Sequence, residues 1–550
     1  MSDPQGNALA TDDAGYRPSR TVALVLMGLI LLLCAAIRLW IISHSSMIAR
    51  DGVTYLELAQ DFRRDPVELI RTSHYHPGYP AAVALAYGLM GGEGGDNDRA
   101  AWERAGQAVA LAAAMAGLAA VAILASMAFD LRIALFTVLL FGCGSKWAEL
   151  GSNVLSDTLA IAFQLWAVVA ALAALGALRL GRRRALAAAA AVGLCAGAGY
   201  WVRGEAALVA PAAAVLWLLY AAGRQVRWRR AIVASALTIL VALLGAMPYM
   251  IAIGGITRKH VLGTEVPQLR AATAPALPPA AERDDPPPAL LALAGRISEA
   301  AHPAVAALGA LWAVAWGLDR LRRRPPAPWI PRPARPAAII AAIVVAASMP
   351  VLAVHYRNTG ILSSRYVMFI AALLAPLGGA GLVVLVRLPA AVAAPLRRSR
   401  RAATALTAVL LVGTAGGMAA HAMRPLHADS TSHRLAGEHL ARLRLRIDPQ
   451  AVIVSDSPWV RHYAGPPAQP LPARRLSAAL LRDRLGGIEA PCAYLALTAE
   501  ARRRDRATAA LLTGPAFGLI EWTDPSPSPD EALTLYRVDL SALVPSAAAE

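Results

Sequence analysis

The sequence predicts a polytopic α-helical membrane protein with about eleven spans, followed by a small α/β domain. The first observation is composition, because the 550 residues are 57% hydrophobic and only 16% charged, whereas a soluble domain carries about 25% charged residues. The second is that the apolar residues form runs of about 20, the length of a helix that crosses a bilayer. The third is a change at residue 421, after which short helical and strand patterns alternate.

The net charge of +17 comes largely from arginines in the short loops between the apolar runs. Arginine beside a span is retained on the cytoplasmic side of the membrane, so these clusters are topology signals. They favour membrane lipids as partners and argue against nucleic acid. The four cysteines show no pairing framework, and no disulfide scaffold is expected in the outer domain.

Arginines just before the first apolar run, Arg17 and Arg20, predict a cytoplasmic tail over residues 1–20. The chain then crosses the membrane repeatedly over residues 21–420, which places Asp51 on the outer side. The predicted spans cover residues 21–42, 105–129, 133–147, 157–178, 185–202, 206–222, 232–253, 303–318, 337–354, 366–386 and 402–420.

Two outer segments of this membrane domain are long. Residues 44–104 form the first outer loop, where apolar side chains with helical spacing predict short helices along the membrane surface. Those side chains are Leu56, Ala59, Phe62, Val67 and Ile70. Residues 257–296 are rich in proline and predict a flexible, partly extended loop that orders when a ligand binds.

Residues 421–550 are long enough for a separate domain, which the alternating topology places outside the cytoplasm. Helical spacing of apolar residues predicts a helix around residues 436–447 and another over 476–485. Short apolar runs predict strands at residues 451–454, 494–497, 517–520 and 533–538. Helices that alternate with strands indicate a small α/β domain.

Ionisable residues at the outer ends of spans are the candidates for chemistry, because charge at membrane depth costs about 2.5–3.5 kcal/mol. Asp51, Asp157, the pair Arg203 and Glu205, and Arg365 all fall on the outer side. A carboxylate there can take a proton from an acceptor hydroxyl. Arginines nearby can hold a phosphate by paired hydrogen bonds. We therefore expect these residues to meet in one outer pocket.

The order of these residues resembles the GT-C glycosyltransferases, and in particular the bacterial branch of protein mannosyltransferase-like and lipid A aminoarabinose transferase-like enzymes. The resemblance extends over residues 22–386 and depends on the sequence of several short motifs. They are Asp51 after the first span, His76-Pro77-Gly78-Tyr79-Pro80, Leu155-Ser156-Asp157, residues 197–205 ending in Arg203-Gly204-Glu205, and Ser364-Arg365-Tyr366.

The resemblance implies an enzyme of the bacterial cytoplasmic membrane that moves a sugar from a polyprenyl-phosphate carrier to a lipid, saccharide or protein acceptor on the outer face. It assigns Asp51 as the general base or the acid that orients the acceptor. Arg203 and Arg365 would stabilise the departing phosphate. The full set of implied substrate-binding residues is Asp157, Arg203, Glu205, His76, Tyr79, Arg365 and Tyr366.

Other interpretations of the same residues stay open at this point. Asp51 and Asp157 can serve as helix caps, Arg203 and Glu205 as an interfacial ion pair, and Arg365 as a lipid headgroup contact. The turn from Pro77 can simply redirect the chain. A divalent metal is a further alternative, with the ligands His74 and His76 joined by Glu68 or His260.

Two other functions fit the predicted topology. A transporter or flippase would have a similar number of spans, although it usually needs ionisable or helix-breaking residues at mid-membrane. A non-enzymatic envelope assembly protein would use the outer domain to bind a partner.

Overall fold

The structure is a computed structural model of the chain. It describes residues 19–92, 98–257, 288–321, 327, 330–359, 362–392, 400–472, 476–503, 505–525 and 532–543. Most of the predicted proline-rich loop, residues 258–287, lies outside the described residues.

Within these described ranges, nine helical segments are long and apolar enough to cross a membrane, which confirms a polytopic helical membrane protein. Seven are single α-helices: α1 (Arg20–His44), α5 (Arg99–Ala128), α8 (Asp157–Arg179), α9 (Arg184–Val202), α11 (Trp228–Ile253), α13 (Pro303–Leu321) and α14 (Arg335–Thr359). Two begin with a 3₁₀ turn: Gly204–Leu208 leads into α10 (Val209–Ala222), and Ser364–Val367 leads into α15 (Met368–Val392).

Two shorter apolar helices stand where the third and last spans were predicted. They are α6 (Leu131–Gly142) and the apolar part, Ala408–Ala422, of α16 (Arg400–Ala422). A short helix, α7 (Ser145–Leu150), follows α6, and α12 (Ala289–Ala301) precedes α13.

The first outer loop folds into three helices, α2 (Arg50–Arg64), α3 (Pro66–Thr72) and α4 (Gly78–Leu89). Leu56 and Ala59 of α2 are fully buried, whereas Val67 of α3 is 55% exposed. The short helices expected in this loop are present, and Val67 does not continue the buried face of α2 because α2 and α3 are separate helices. Asp65 caps α3 through hydrogen bonds from the Val67 and Glu68 amides, with Pro66 at the first position, so the helical phase restarts there.

Glycines allow α13 and α15 to approach closely. A Cβ placed on Gly381 would lie 1.8 Å from the carbonyl oxygen of Leu308, and one on Gly378 would lie 2.6 Å from a methyl carbon of Val305. Close backbone contact between small residues is how membrane helices gain packing energy without a hydrophobic driving force.

We expect Gly381→Ala to destabilise the membrane domain by at least about 3 kcal/mol, the upper range for overpacking, because the obstructing atom belongs to the backbone. Chemical unfolding in detergent micelles would measure the loss. Gly413→Ala in α16 is the matched control, since nothing lies within 4 Å of its added Cβ. Equal stability of the two variants would contradict this account of the helix contact.

The C-terminal region forms a five-stranded sheet with the order β2-β1-β3-β5-β4. The strands are β1 (Val452–Ser455), β2 (Ala468–Pro470), β3 (Cys492–Thr498), β4 (Phe517–Leu519) and β5 (Leu533–Asp539). β1 runs parallel to β2 and β3, whereas β5 is antiparallel to β3 and β4. The helices of this domain are α17 (Thr431–Arg446), α18 (Pro458–Ala464), α19 (Ala478–Gly486), α20 (Ala499–Arg503) and α21 (Arg506–Leu511).

The small α/β domain expected from the sequence is thus present, with one strand that the sequence pattern did not predict. The missed strand is β2, which has only three residues and ends in a proline. A short edge strand of this kind lacks the alternation that sequence patterns detect.

This domain packs on the segment that leads into α2. The indole nitrogen of Trp459 donates to the Ile48 carbonyl at 2.9 Å, and the Leu426 amide donates to the Ser45 hydroxyl at 2.8 Å. His462 contacts the Glu103 carboxylate at 2.9 Å near the start of α5. The sheet domain therefore lies on the same side of the membrane domain as Asp51.

Candidate functional site

Asp51 lies in the first turn of α2, where the helix dipole favours a carboxylate. Its Oδ2 accepts a hydrogen bond at 2.9 Å from Nη1 of Arg365, which lies 314 residues later in the 3₁₀ turn before α15. The side chain of Asp51 is 46% exposed and that of Arg365 is 24% exposed. This pair is therefore open to an incoming molecule.

A second cluster of charges lies at the start of α8. Arg203 follows α9 in an extended conformation and donates from Nη1 to Asp157 Oδ1 at 2.7 Å and from Nε to Glu205 Oε1. Asp157 is only 3% exposed, whereas Glu205 is 53% exposed. One guanidinium thus joins a buried carboxylate to an accessible one.

One oxygen of the Asp157 carboxylate remains available as a hydrogen-bond acceptor. Its Oδ2 is buried, and it has no hydrogen-bond partner among the residues that the structure describes. A buried carboxylate oxygen without a hydrogen bond costs stability, so this atom can accept one from a water or from a bound ligand.

Aromatic residues connect the two clusters. The Arg203 guanidinium lies 5.8 Å from the centre of the Tyr366 ring. Tyr366 directly follows Arg365 in the chain. The Tyr55 hydroxyl contacts Ser156 Oγ at 2.8 Å, next to Asp157. Four segments that are far apart in sequence therefore meet at one end of the helical bundle, as expected. They carry Asp51, Asp157, the pair Arg203 and Glu205, and the pair Arg365 and Tyr366.

The pKa values of the two tyrosines reflect these charges. Burial raises the pKa of Tyr55 to about 12, with Arg203 opposing and Asp157 adding to the shift. Burial also raises the pKa of Tyr75, and the carboxylate of Asp51 acts in the same direction. Both phenols therefore stay protonated at neutral pH and remain hydrogen-bond donors.

His76 and Tyr79 are buried beneath this cluster. His76 is 5% exposed and packs against the rings of Tyr200 and Tyr249. Tyr79 is fully buried and donates its hydroxyl to the Gly106 carbonyl at 3.2 Å. The sequence predicted both as substrate-binding residues. Both side chains are buried because the turn at Pro77 directs the start of α4 into the core, and substrate binding by these two residues stays a prediction.

Gly78 allows the start of α4 to pack closely against the end of α9. A Cβ on this residue would lie 2.7 Å from the backbone carbonyl of Trp201, near the end of α9. The glycine therefore lets the turn reach the residues that precede Arg203.

Sequence reasoning missed several polar residues at or beneath the cluster. Tyr55 stands one helical turn after Asp51, and that i, i+4 spacing is a signal that could have identified it. Asn153 gave no such signal. Its Oδ1 accepts from the Ala49 and Val154 amides at 2.6 and 2.9 Å, and its Nδ2 lies 3.1 Å from His427 Nε2.

Arg38 is a further missed residue, inside α1. It is fully buried and donates to the carbonyls of Cys34 at 2.6 Å and Gly142 at 3.2 Å. A cation within a span usually indicates function. Here its contacts with the last residue of α6 indicate a structural link between two helices.

The described residues contain no group of three histidine, cysteine, aspartate or glutamate side chains placed to hold a metal ion. His260, one of the suggested ligands, lies outside the described residues. The metal alternative built on His74, His76 and Glu68 therefore gains no geometric support.

The chain is similar to solved structures over nearly its whole length. ArnT from Cupriavidus metallidurans bound to undecaprenyl phosphate superposes with a TM-score of 0.58 at 13% identity, covering 96% of this chain and 100% of ArnT. The apo form of ArnT gives a TM-score of 0.57 at 14% identity, covering 95% and 99%.

A second similarity is to AglB, an oligosaccharyltransferase from Archaeoglobus fulgidus, solved with an inhibitory peptide and a dolichol-phosphate. The TM-score is 0.55 at 13% identity, covering 94% of this chain and 74% of AglB. No family profile and no curated protein sequence matches the chain. The structural similarity confirms the predicted GT-C fold.

Proposed function

We propose that this chain, which has the fold of the GT-C glycosyltransferases, transfers a sugar from a polyprenyl-phosphate carrier to an acceptor at the outer face of the bacterial cytoplasmic membrane. The observation that carries the proposal is the carboxylate–guanidinium cluster around Asp51. It is assembled from four distant segments at the membrane surface, where an amphiphilic substrate presents its polar end.

Asp51 suits the role of general base. Its carboxylate is 46% exposed and already lies 2.9 Å from a guanidinium. In the proposed step Asp51 takes the proton of an acceptor hydroxyl while the hydroxyl oxygen bonds to the anomeric carbon of the sugar. The bond from that carbon to the carrier phosphate breaks, and the phosphate leaves with the electron pair.

Arg365 is the better placed of the two arginines to stabilise the departing phosphate. It gives one terminal nitrogen to Asp51 and has four further N–H donors in its planar group. Arg203 instead lies between two carboxylates, Asp157 and Glu205. This geometry supports a role for Arg203 in holding Asp157, whose free oxygen would then orient the acceptor.

The choice of donor is supported by what the similar proteins bind, since ArnT was solved with undecaprenyl phosphate and AglB with a dolichol-phosphate. The placement outside the cytoplasm is supported by the arginine-rich loops at the opposite ends of the spans. The sheet domain would then face the same compartment as Asp51.

Reconstitution of the purified protein in liposomes with a polyprenyl-phosphate sugar and membrane acceptors tests the proposal. We expect a new glycosidic bond and release of the free carrier phosphate, both detected by mass spectrometry. Sugar-lipid movement across sealed vesicles without any new bond would overturn it in favour of a flippase. Comparison of envelope glycolipids from cells with and without the gene would identify the acceptor.

A further inference from the structure

A cavity of about 430 Å³ lies between α7, α12, the start of α13 and the end of α16. Its volume is in the range of about 300–1,000 Å³ that binds small molecules. It is lined by Ser145, Gly295, Ser298, Glu299, His302, Pro303 and His421.

The cavity adjoins the Asp51 cluster through one hydrogen bond. Glu299 Oε1 accepts from the hydroxyl of Ser364 at 2.9 Å, and Ser364 immediately precedes Arg365. The turn that carries Arg365 is therefore hydrogen-bonded to the lining of this cavity.

The lining of the cavity suits an uncharged, hydroxyl-rich ligand. The Glu299 carboxylate is already balanced by Arg296 Nη1 at 2.6 Å. Burial lowers the pKa of His302, which favours the neutral imidazole. Its Nδ1 accepts from the Ala304 amide, which leaves the proton on Nε2 as a donor. A phosphate would find little net positive charge here.

The backbone conformation of His302 also points to a role for its side chain. This residue has φ of 74° and ψ of 132°, a region that glycine reaches freely and other residues rarely adopt. Glycine would therefore be the natural choice if the position served only to join α12 to α13. A histidine held there against its backbone preference indicates a use for the imidazole.

We propose that this cavity holds the sugar ring of the polyprenyl-phosphate donor, with His302 and Glu299 hydrogen-bonded to its hydroxyls. The inference depends on the proposed function. It assigns the ring to the space between α12 and α16.

His302→Gly tests the assignment, because glycine suits the backbone and should raise thermal stability while it removes the imidazole. The probes are undecaprenyl phosphate and a panel of undecaprenyl-phosphate hexoses and pentoses, bound to the full-length protein in detergent micelles. We expect the bare carrier to bind equally to parent and variant. The sugar-bearing lipid that the parent binds best should bind the variant about tenfold more weakly, a loss of about 1.4 kcal/mol.

Arg224→Gly is the matched control, since Arg224 is an exposed residue with φ of 57° in a loop at the other end of the bundle. It should gain stability without any change in lipid binding. Unchanged binding of the sugar-bearing lipid to His302→Gly, equal weakening of the bare carrier, or no preference of the parent for any sugar-bearing lipid would each overturn the assignment. Because these are binding measurements, they are separable from the transfer assay that tests the proposed function.

Discussion

Asp51→Asn is expected to lower kcat for sugar transfer by about 10²–10⁴-fold, the usual contribution of a positioned general base. Asparagine keeps the shape of the side chain and can still contact Arg365, but it cannot take a proton from the acceptor. The binding of undecaprenyl phosphate should change little. Initial rates with the purified variant in liposomes would measure the effect.

Asp61→Asn is the control for this experiment. Asp61 lies on the same helix, is 53% exposed and pairs only loosely with Arg64 at 3.5 Å, so its loss should leave the rate near the parental value. Transfer by Asp51→Asn at the parental rate would remove Asp51 from the chemistry. Equal loss in both variants would indicate that the charge of α2, and not a base, is what matters.

Arg203→Met is expected to destabilise the protein by about 3–5 kcal/mol, because it leaves the carboxylate of Asp157 buried without its cation. Asp157 is 3% exposed and its other oxygen is already without a partner among the described residues. Chemical unfolding in detergent micelles would measure the loss.

The double variant Arg203→Met with Asp157→Asn separates charge from packing. Removing the buried charge should recover most of the stability, a coupling that a double-mutant cycle quantifies. Arg64→Met, which affects the exposed pair with Asp61, should cost less than about 1 kcal/mol. A similar cost for Arg203→Met and Arg64→Met would show that the Asp157 contact contributes little.

Much of the candidate site could be anticipated from topology. Asp51, Asp157, Arg203 and Arg365 stand at the outer ends of spans, and alternating helices bring such ends to one face. The roles of Arg203 and Arg365 could not be distinguished in sequence. The distinction depends on which carboxylates each guanidinium meets, and those contacts join residues 46 and 314 positions apart.

Several features that the sequence did not reveal depend on contacts distant in sequence. The burial of His76 and Tyr79 is one such feature, because it depends on the close approach of Gly78 to α9. Arg38 passed unnoticed within an apolar run because its partner carbonyl belongs to α6. The cavity at His302 involves four helices, and no local pattern predicts it.

Local patterns in the chain were enough to predict the class of the protein, the approximate positions of its membrane helices, the loop helices around Asp51 and the α/β character of the last 130 residues. A bilayer imposes a fixed length on apolar segments, and arginine beside a span marks the cytoplasmic side, so both signals are local properties of the chain. The folded chain was needed to reveal the order of the sheet, the docking of that domain on the segment before α2, and the partner of each charge. Those features depend on packing and hydrogen bonds between residues tens to hundreds of positions apart, which local periodicity does not encode.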